Sequence, residues 1–119
     1  MSENIFICYP RCTTCKKAQH WLEEHGIHFE IRDIQKENPN IEELRKWHDM
    51  SNLPLKRFFN TSGLKYKTLE LKNKLAQMND DEQYSLLATD GMLVKRPIFV
   101  GSDFVLVGFK ENEWNEKFL

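Results

Sequence analysis

Two strand-like apolar runs separated by one amphipathic helical segment open the chain, and this arrangement restricts its possible folds more than any other feature. Asn4 to Cys8 carries Ile5, Phe6, Ile7 and Cys8 in an almost continuous apolar run, closed by Tyr9-Pro10 because proline has no N–H to give a strand ladder. Lys16 to His25 then places Ala18, Trp21, Leu22 and His25 at three- and four-residue spacings, and Gly26 supplies the left-handed stop expected just past a helix. Ile27, Phe29 and Ile31 alternate with His28, Glu30 and Arg32, the period of a half-buried strand. A strand, a helix and a second strand in this order favour a parallel pair with a right-handed crossover.

The middle of the chain reads as helical. Asn40 is a helix cap with Glu43 three residues on, and Leu44, Trp47 and His48 continue the apolar stripe behind it. Pro54 opens a further helical segment carrying Leu55, Phe58 and Phe59; Asn60-Thr61-Ser62-Gly63 turns, and short amphipathic pieces follow over Tyr66 to Leu75 and Asp80 to Ala88. Beyond Asp90-Gly91, the runs Pro97 to Val100 and Phe104 to Val107 flank Gly101-Ser102-Asp103 and predict a β-hairpin. Glu111 to Leu119, with Trp114 and Phe118 four apart, predicts a terminal helix that docks on the sheet. The resulting order, β-α-β, helical insert, β-β-α, is the wiring of an α/β thioredoxin-like fold with a mixed four-stranded sheet. On this reading residues 1–119 are one domain, with its core at about 1–35 and 93–119 and the helical insert at about 36–92.

A chain of 119 residues matches the commonest domain size and can bury a core without a disulfide or metal staple. With 17 Lys+Arg against 18 Asp+Glu the net charge is −1, so no basic excess points to direct nucleic-acid binding. The acidic start Met1-Ser2-Glu3-Asn4 and the short apolar run after it do not read as a signal peptide, and no later segment approaches the roughly 18–20 apolar residues of a membrane helix. A cytoplasmic, monomeric protein is expected, where a close cysteine pair is catalytic, redox-sensing or metal-binding rather than a structural disulfide.

Cys12-Thr13-Thr14-Cys15 sits in the link from the first strand to the first helix. The unsatisfied N–H groups of that helix, with Arg11, Lys16 and Lys17 adjacent, favour the thiolate of Cys12. Two intervening residues on a first helical turn bring Cys15 within reach, so a mixed disulfide at Cys12 can be resolved by Cys15. Half a zinc site is the competing reading, but no second pair exists and His20 and His25 lack ligand spacing, so no metal is expected. Cys8, at the end of an apolar strand, reads as a packed core residue with a third redox thiol as the alternative. Pro97, at a strand start, is structurally tolerated as simple strand initiation. In a thioredoxin-like fold the X-Pro bond before this strand is cis and faces the cysteine loop, and Arg96 would point a fixed cation at an anionic sulfur or an oxyanion. Trp21, Trp47 and Trp114 lie on helical stripes and read as core, and Lys65 to Lys74 as a solvated face.

Tyr9-Pro10-Arg11-Cys12-Thr13-Thr14-Cys15-Lys16-Lys17-Ala18, Arg96-Pro97-Ile98, and Val107-Gly108-Phe109-Lys110-Glu111 with Trp114 together resemble the ArsC/Spx family of thioredoxin-fold proteins over essentially the whole chain. The resemblance implies that Cys12 is the nucleophile, Arg96 the substrate-facing arginine and Pro97 the cis-proline, with Arg11, Thr13 and Thr14 completing the substrate-binding loop. Two further arginines of arsenate reductases would fall near Asn60 and Gly108, where Arg57 and Lys110 are the nearest cations. The C-x-x-C pair is the Spx pattern, while the Asn60 to Gly63 turn with its Leu53-Pro54-Leu55-Lys56-Arg57 lead-in resembles the reductase-like relatives. Two functions are therefore expected in competition. One is an ArsC-like thiol–disulfide oxidoreductase acting on a small-molecule or protein disulfide, an oxidised small molecule or arsenate. It holds no bound cofactor and is restored by glutathione, glutaredoxin or thioredoxin. The other is an Spx-like redox-sensing regulator that binds the RNA polymerase α subunit.

Overall fold

The computed structural model of the protein describes residues 4–119; Met1, Ser2 and Glu3 of the acidic start lie outside the described residues. The first strand, β1 (Ile5–Cys8), leads into α1 (Thr13–Glu24) and then β2 (Glu30–Asp33). Between β2 and β3 come α2 (Ile41–Ser51), a 3-10 turn at Leu55–Phe58, the short α3 (Leu64–Thr68) and α4 (Leu71–Lys74), and α5 (Asp80–Leu87). The chain closes with the hairpin β3 (Ile98–Val100) and β4 (Val105–Val107) and the helix α6 (Glu111–Phe118). The sheet order is β2-β1-β3-β4, with β1 parallel to β2 and antiparallel to β3, and β3 antiparallel to β4. This is the thioredoxin-like mixed sheet. No helix among the described residues is long and apolar enough to cross a membrane.

Side-chain alternation sorts the sheet into two faces. Phe6, Cys8, Phe99 and Leu106 point to one face, where Cys15, Ala18, Trp21 and Leu22 of α1 and Trp114 of α6 cover them. Ile7, Ile98, Val100, Val105 and Val107 point to the other, under Leu44 and Trp47 of α2, Phe58, Phe59, and Tyr84 and Leu87 of α5. The helices between β2 and β3 thus share their apolar core with the sheet. The cysteine-bearing helix and the helical middle of the chain lie on opposite faces.

Three local features depart from the sequence expectation. Helix α1 begins at Thr13, three residues before the apolar pattern from Lys16, while Cys15 stands on its first turn and Cys12 is its cap residue, as the reading of the C-x-x-C pair expected. Its other end agrees, with Gly26 at φ +66° after the His25 cap. Strand β2 starts at Glu30, three residues later than the alternating pattern suggested, and Ile31 is 57% exposed although Phe6, its partner in register, is fully buried. An edge strand has a neighbour on one side only, and the helices packed over Phe6 leave the outer edge of the sheet uncovered at Ile31. The third feature is a second capping box, Asn79 with Glu82, at the start of α5. It matches in geometry the expected Asn40–Glu43 box of α2.

Arg32 locks β2 to α2. Its guanidinium donates to both carboxylate oxygens of Glu43 at 2.6 and 2.8 Å, its Nε–H donates to the Glu37 carbonyl at 2.9 Å, and it lies 5.6 Å over the Trp47 ring. The Arg32 hydrogen bonds hold the Glu43 carboxyl below its ordinary pKa, against a smaller opposing effect of burial. Because the folded value is the lower one, this stabilisation is present above the ordinary carboxyl value of 4.5 and fades as pH falls through the folded value. Glu43→Gln keeps a capping side chain at this position and removes the charge pair. It is expected to cost about 1–3 kcal/mol at neutral pH. Urea unfolding of variant and wild type at pH 7 and in the acid range checks this, the gap closing below pH 4.5.

Candidate active site

The turn after β1 carries both halves of the C-x-x-C pair on fixed backbone. The Cys12 N–H donates to the Tyr9 carbonyl at 2.9 Å, which closes the turn, and the Lys16 N–H donates to the Cys12 carbonyl at 3.1 Å, which starts the helix. Cys12 has an extended backbone, φ −88° and ψ 121°, and stands half-buried where the chain enters α1. Cys15 is 2% exposed. The Tyr9 N–H points at its sulfur at 3.4 Å. All three cysteines are free thiols.

The side chains of Cys8 and Cys12 both act on the ionisation of Cys15. The hydrogen bond with Cys8 pushes the Cys15 thiol up, and burial pushes it further, so Cys15 is held protonated. The same hydrogen bond draws the Cys8 thiol down from its ordinary value, partly opposed by burial. Cys8 is buried at the end of β1, as expected for a core residue, and its contact with Cys15 is the part that sequence reasoning missed. The signal was present: alternation along β1 puts Cys8 on the Phe6 face, and the first turn of a helix packed on that face carries Cys15.

Arg96 precedes β3 and is joined to Pro97 by a cis peptide bond. Its guanidinium lies 5.3 Å over the ring of Tyr9. Its Nε and Nη1 are buried and have no hydrogen-bond partner. Buried guanidinium donors are almost always paired, and two left open on a cation amount to a ready place for an anionic group. Tyr9 is the residue that connects Arg96 with the cysteine turn: its ring carries the guanidinium, its N–H reaches Cys15 and its carbonyl accepts from Cys12. The sequence reading gave Tyr9 no role beyond ending a strand.

Arg11, Thr13 and Thr14 are exposed at the rim of the turn. Thr14 also borders a groove of about 640 Å³ whose wall holds Lys56, Arg57, Lys95 and Lys110 over a floor that includes Phe59 and Phe109. Arg57 and Lys110, the two cations nearest the expected arginine positions, therefore reach one groove. Arg57 is turned towards the Val107 carbonyl and the Glu113 carboxylate, both at 3.5 Å. Gly108, at φ +75°, adopts the left-handed backbone beside it, and its N–H donates to the Pro97 carbonyl at 2.8 Å. A larger depression of about 790 Å³ between α2 and α5, around His48 and Tyr84, contains none of the thiols.

A C-x-x-C turn at the junction of β1 and the helix packed over it, with a cis-proline at the start of β3, defines a thioredoxin-like protein with a thiol-bearing site. Residues 8–117 match the ArsC family, and the chain belongs to it. The protein is similar to a crystal structure from Bacteroides fragilis described as an ArsC family related protein, with 52% identity, a TM-score of 0.93 and 96% of each chain covered. It is also similar to a possible arsenate reductase from Streptococcus mutans UA159, with 39% identity, a TM-score of 0.90, and 99% of this chain and 100% of that one covered. Among curated proteins it is 51% identical to YusI of Bacillus subtilis over 93% of this chain and 94% of that protein. It is 33% identical to the global transcriptional regulator Spx of Enterococcus faecalis over 87% of this chain and 77% of the regulator. The family therefore holds arsenate reductase neighbours and Spx regulators on one fold.

Proposed function

We propose that the protein is a thiol–disulfide oxidoreductase in which Cys12 attacks and Cys15 resolves. The observation that carries this reading is the pairing of a half-buried Cys12 with a buried Cys15 one helical turn away, its sulfur accepting from the N–H of Tyr9, whose ring carries a guanidinium with open donors. The Cys12 thiolate attacks one sulfur of a substrate disulfide, forms a mixed disulfide and expels the other sulfur as a thiolate. Cys15 then loses its proton and attacks Cys12 Sγ, which closes the Cys12–Cys15 disulfide and releases the second substrate thiol. Two electrons have passed from the protein dithiol to the substrate. Two equivalents of glutathione, or one dithiol of glutaredoxin or thioredoxin, return them.

The roles of the remaining residues follow from charge. Arg96 offers its open donors to an anionic sulfur or oxyanion, and Pro97 with Arg11, Thr13 and Thr14 frames the substrate at the turn. The cations of the neighbouring groove favour a substrate with negatively charged groups beyond the reacting sulfur. Arsenate is an oxyanion that fits this charge and is a candidate substrate by the same reasoning. Steady-state disulfide reduction with glutathione, glutaredoxin and thioredoxin offered in turn tests the reading. Turnover with at least one reductant is expected in the wild type and its loss in Cys12→Ser, whereas full turnover in Cys12→Ser would overturn the assignment.

The similarity to Spx supports a second reading, a redox-switched protein that docks on the RNA polymerase α subunit without turnover. Retention of the reduced and oxidised protein on the immobilised α C-terminal domain separates the two. Retention that changes with oxidation state, without turnover, favours the regulator; no retention in either state removes it.

A further inference from the structure

The scheme above leaves Cys8 unused. It stands on the sheet face that α1 covers, and Cys15 comes down onto it from the first turn of that helix. Both side chains belong to one buried cluster, and the Tyr9 N–H, one residue on from Cys8, reaches Cys15 Sγ at 3.4 Å. Cys15 thus stands between two thiols, a half-buried one at Cys12 and a 5% exposed one at Cys8. Filling space at the end of β1 calls only for a small apolar group, and alanine or valine would serve. A thiol in contact with a sulfur that becomes half of a disulfide is a nucleophile touching an electrophile.

We propose that Cys8 is a third redox thiol, which exchanges with the Cys12–Cys15 disulfide to leave an inner Cys8–Cys15 disulfide. The exchange rests on the roles given above to Cys12 and Cys15. The Cys8 sulfur attacks Cys15 Sγ, the Cys8–Cys15 bond forms, and the Cys12–Cys15 bond breaks. Cys12 leaves with the bonding electron pair, and the proton released by Cys8 passes to it or to solvent. No electrons enter or leave, so the oxidising equivalent taken from the substrate is moved inward and no further oxidant is needed.

Two consequences follow from burial. Cys12 becomes a free thiol again while the protein remains oxidised, so it can engage a second sulfur. The inner disulfide, whose sulfurs belong to residues 5% and 2% exposed, is shielded from an attacking external thiol, and the oxidised state outlasts an ordinary C-x-x-C disulfide in the same reductant.

The test uses the full chain of Cys12→Ser, which keeps only Cys8 and Cys15, treated with the small thiol oxidant diamide. Free thiols are counted by alkylation after denaturation, and linked peptides are identified by mass spectrometry. Both remaining thiols are expected to be lost together within one monomer, with a peptide joining Cys8 to Cys15, and the linkage is expected to be absent from Cys12→Ser with Cys8→Ala. In oxidised wild type, Cys8–Cys15 peptides are expected to grow at the expense of Cys12–Cys15 peptides after the oxidant is removed. Wild type holding Cys12–Cys15 alone at all times would overturn the proposal. A wild type that forms no Cys12–Cys15 disulfide, beside a Cys12→Ser that forms the inner one, would instead sink the oxidoreductase scheme and leave the inner pair standing.

Discussion

Arg96→Ala is expected to lower kcat/KM for disulfide reduction by about 100- to 1,000-fold while changing folding stability by less than about 1 kcal/mol. The two effects separate because of how the guanidinium is held. Its Nε and Nη1 are buried without partners, and an unsatisfied buried donor costs about 1–3 kcal/mol, so the folded state carries this group at a cost. Against that cost stands the stacking on Tyr9, worth about 0.5–2 kcal/mol. Removing the side chain loses one and relieves the other. An anionic substrate group that occupied the open donors would convert the cost into binding, strongest where negative charge develops on a leaving sulfur. Arg96→Lys returns the charge without the planar fork and is expected to recover only part of the activity. Steady-state kinetics and thermal unfolding of the same preparations check the pair of effects. A large loss of stability with a proportionate loss of activity would make Arg96 a packing residue.

Trp114→Ala has the largest expected effect on folding, a loss of about 3–5 kcal/mol. Trp114 is fully buried where α6 meets the sheet, and its ring contacts Trp21 of α1, Phe99 of β3, Phe109 and Phe118. Its indole N–H donates to the Gly108 carbonyl at 3.1 Å, inside the core. Alanine would open a cavity against both α1 and the sheet and strand that carbonyl. Since domains of this kind are stable by about 5–15 kcal/mol, the loss is roughly a fifth or more of the total. Trp114→Phe keeps most of the packing and removes the donor, and is expected to cost about 1–3 kcal/mol. Urea unfolding followed by circular dichroism measures both. The effect reaches the site, because Trp21 sits on the helix whose first turn holds Cys15 and stacks edge-on against Trp114.

The elements that sequence periodicity identified are those whose signals lie within a few residues. The apolar run ending at Tyr9-Pro10, the Asn40–Glu43 box, the hairpin across Gly101 to Asp103 and the terminal helix with Trp114 depend on neighbours one to four positions apart. The apolar pattern from Lys16 left out the first turn of α1 because Thr13 and Thr14 are exposed polar residues; Cys15, three residues before Ala18 and seven before Leu22, extends the buried stripe of that helix. The pattern at Ile27, Phe29 and Ile31 placed a strand too early. Phe29 and Ile27 do pack inward, but hydrogen bonding to β1 begins at Glu30, and the pairing register is a property of two strands together.

The sequence by itself determined the strand–helix–strand opening, the C-x-x-C pair at its junction, the proline-led third strand and the family they mark, because each is a local pattern written in adjacent residues. Only the tertiary structure decided which groups meet. The sheet order β2-β1-β3-β4 brings Arg96, before β3, over Tyr9, after β1, and it is the packing of α1 on the Phe6 face that sets Cys15 between Cys8 and Cys12. Lys56, Arg57, Lys95 and Lys110 come from separate segments of the chain and share one groove with Thr14. Such contacts depend on which strands pair and which face a helix covers, and these are settled by burying apolar surface across the whole chain rather than by the spacing of any one stretch.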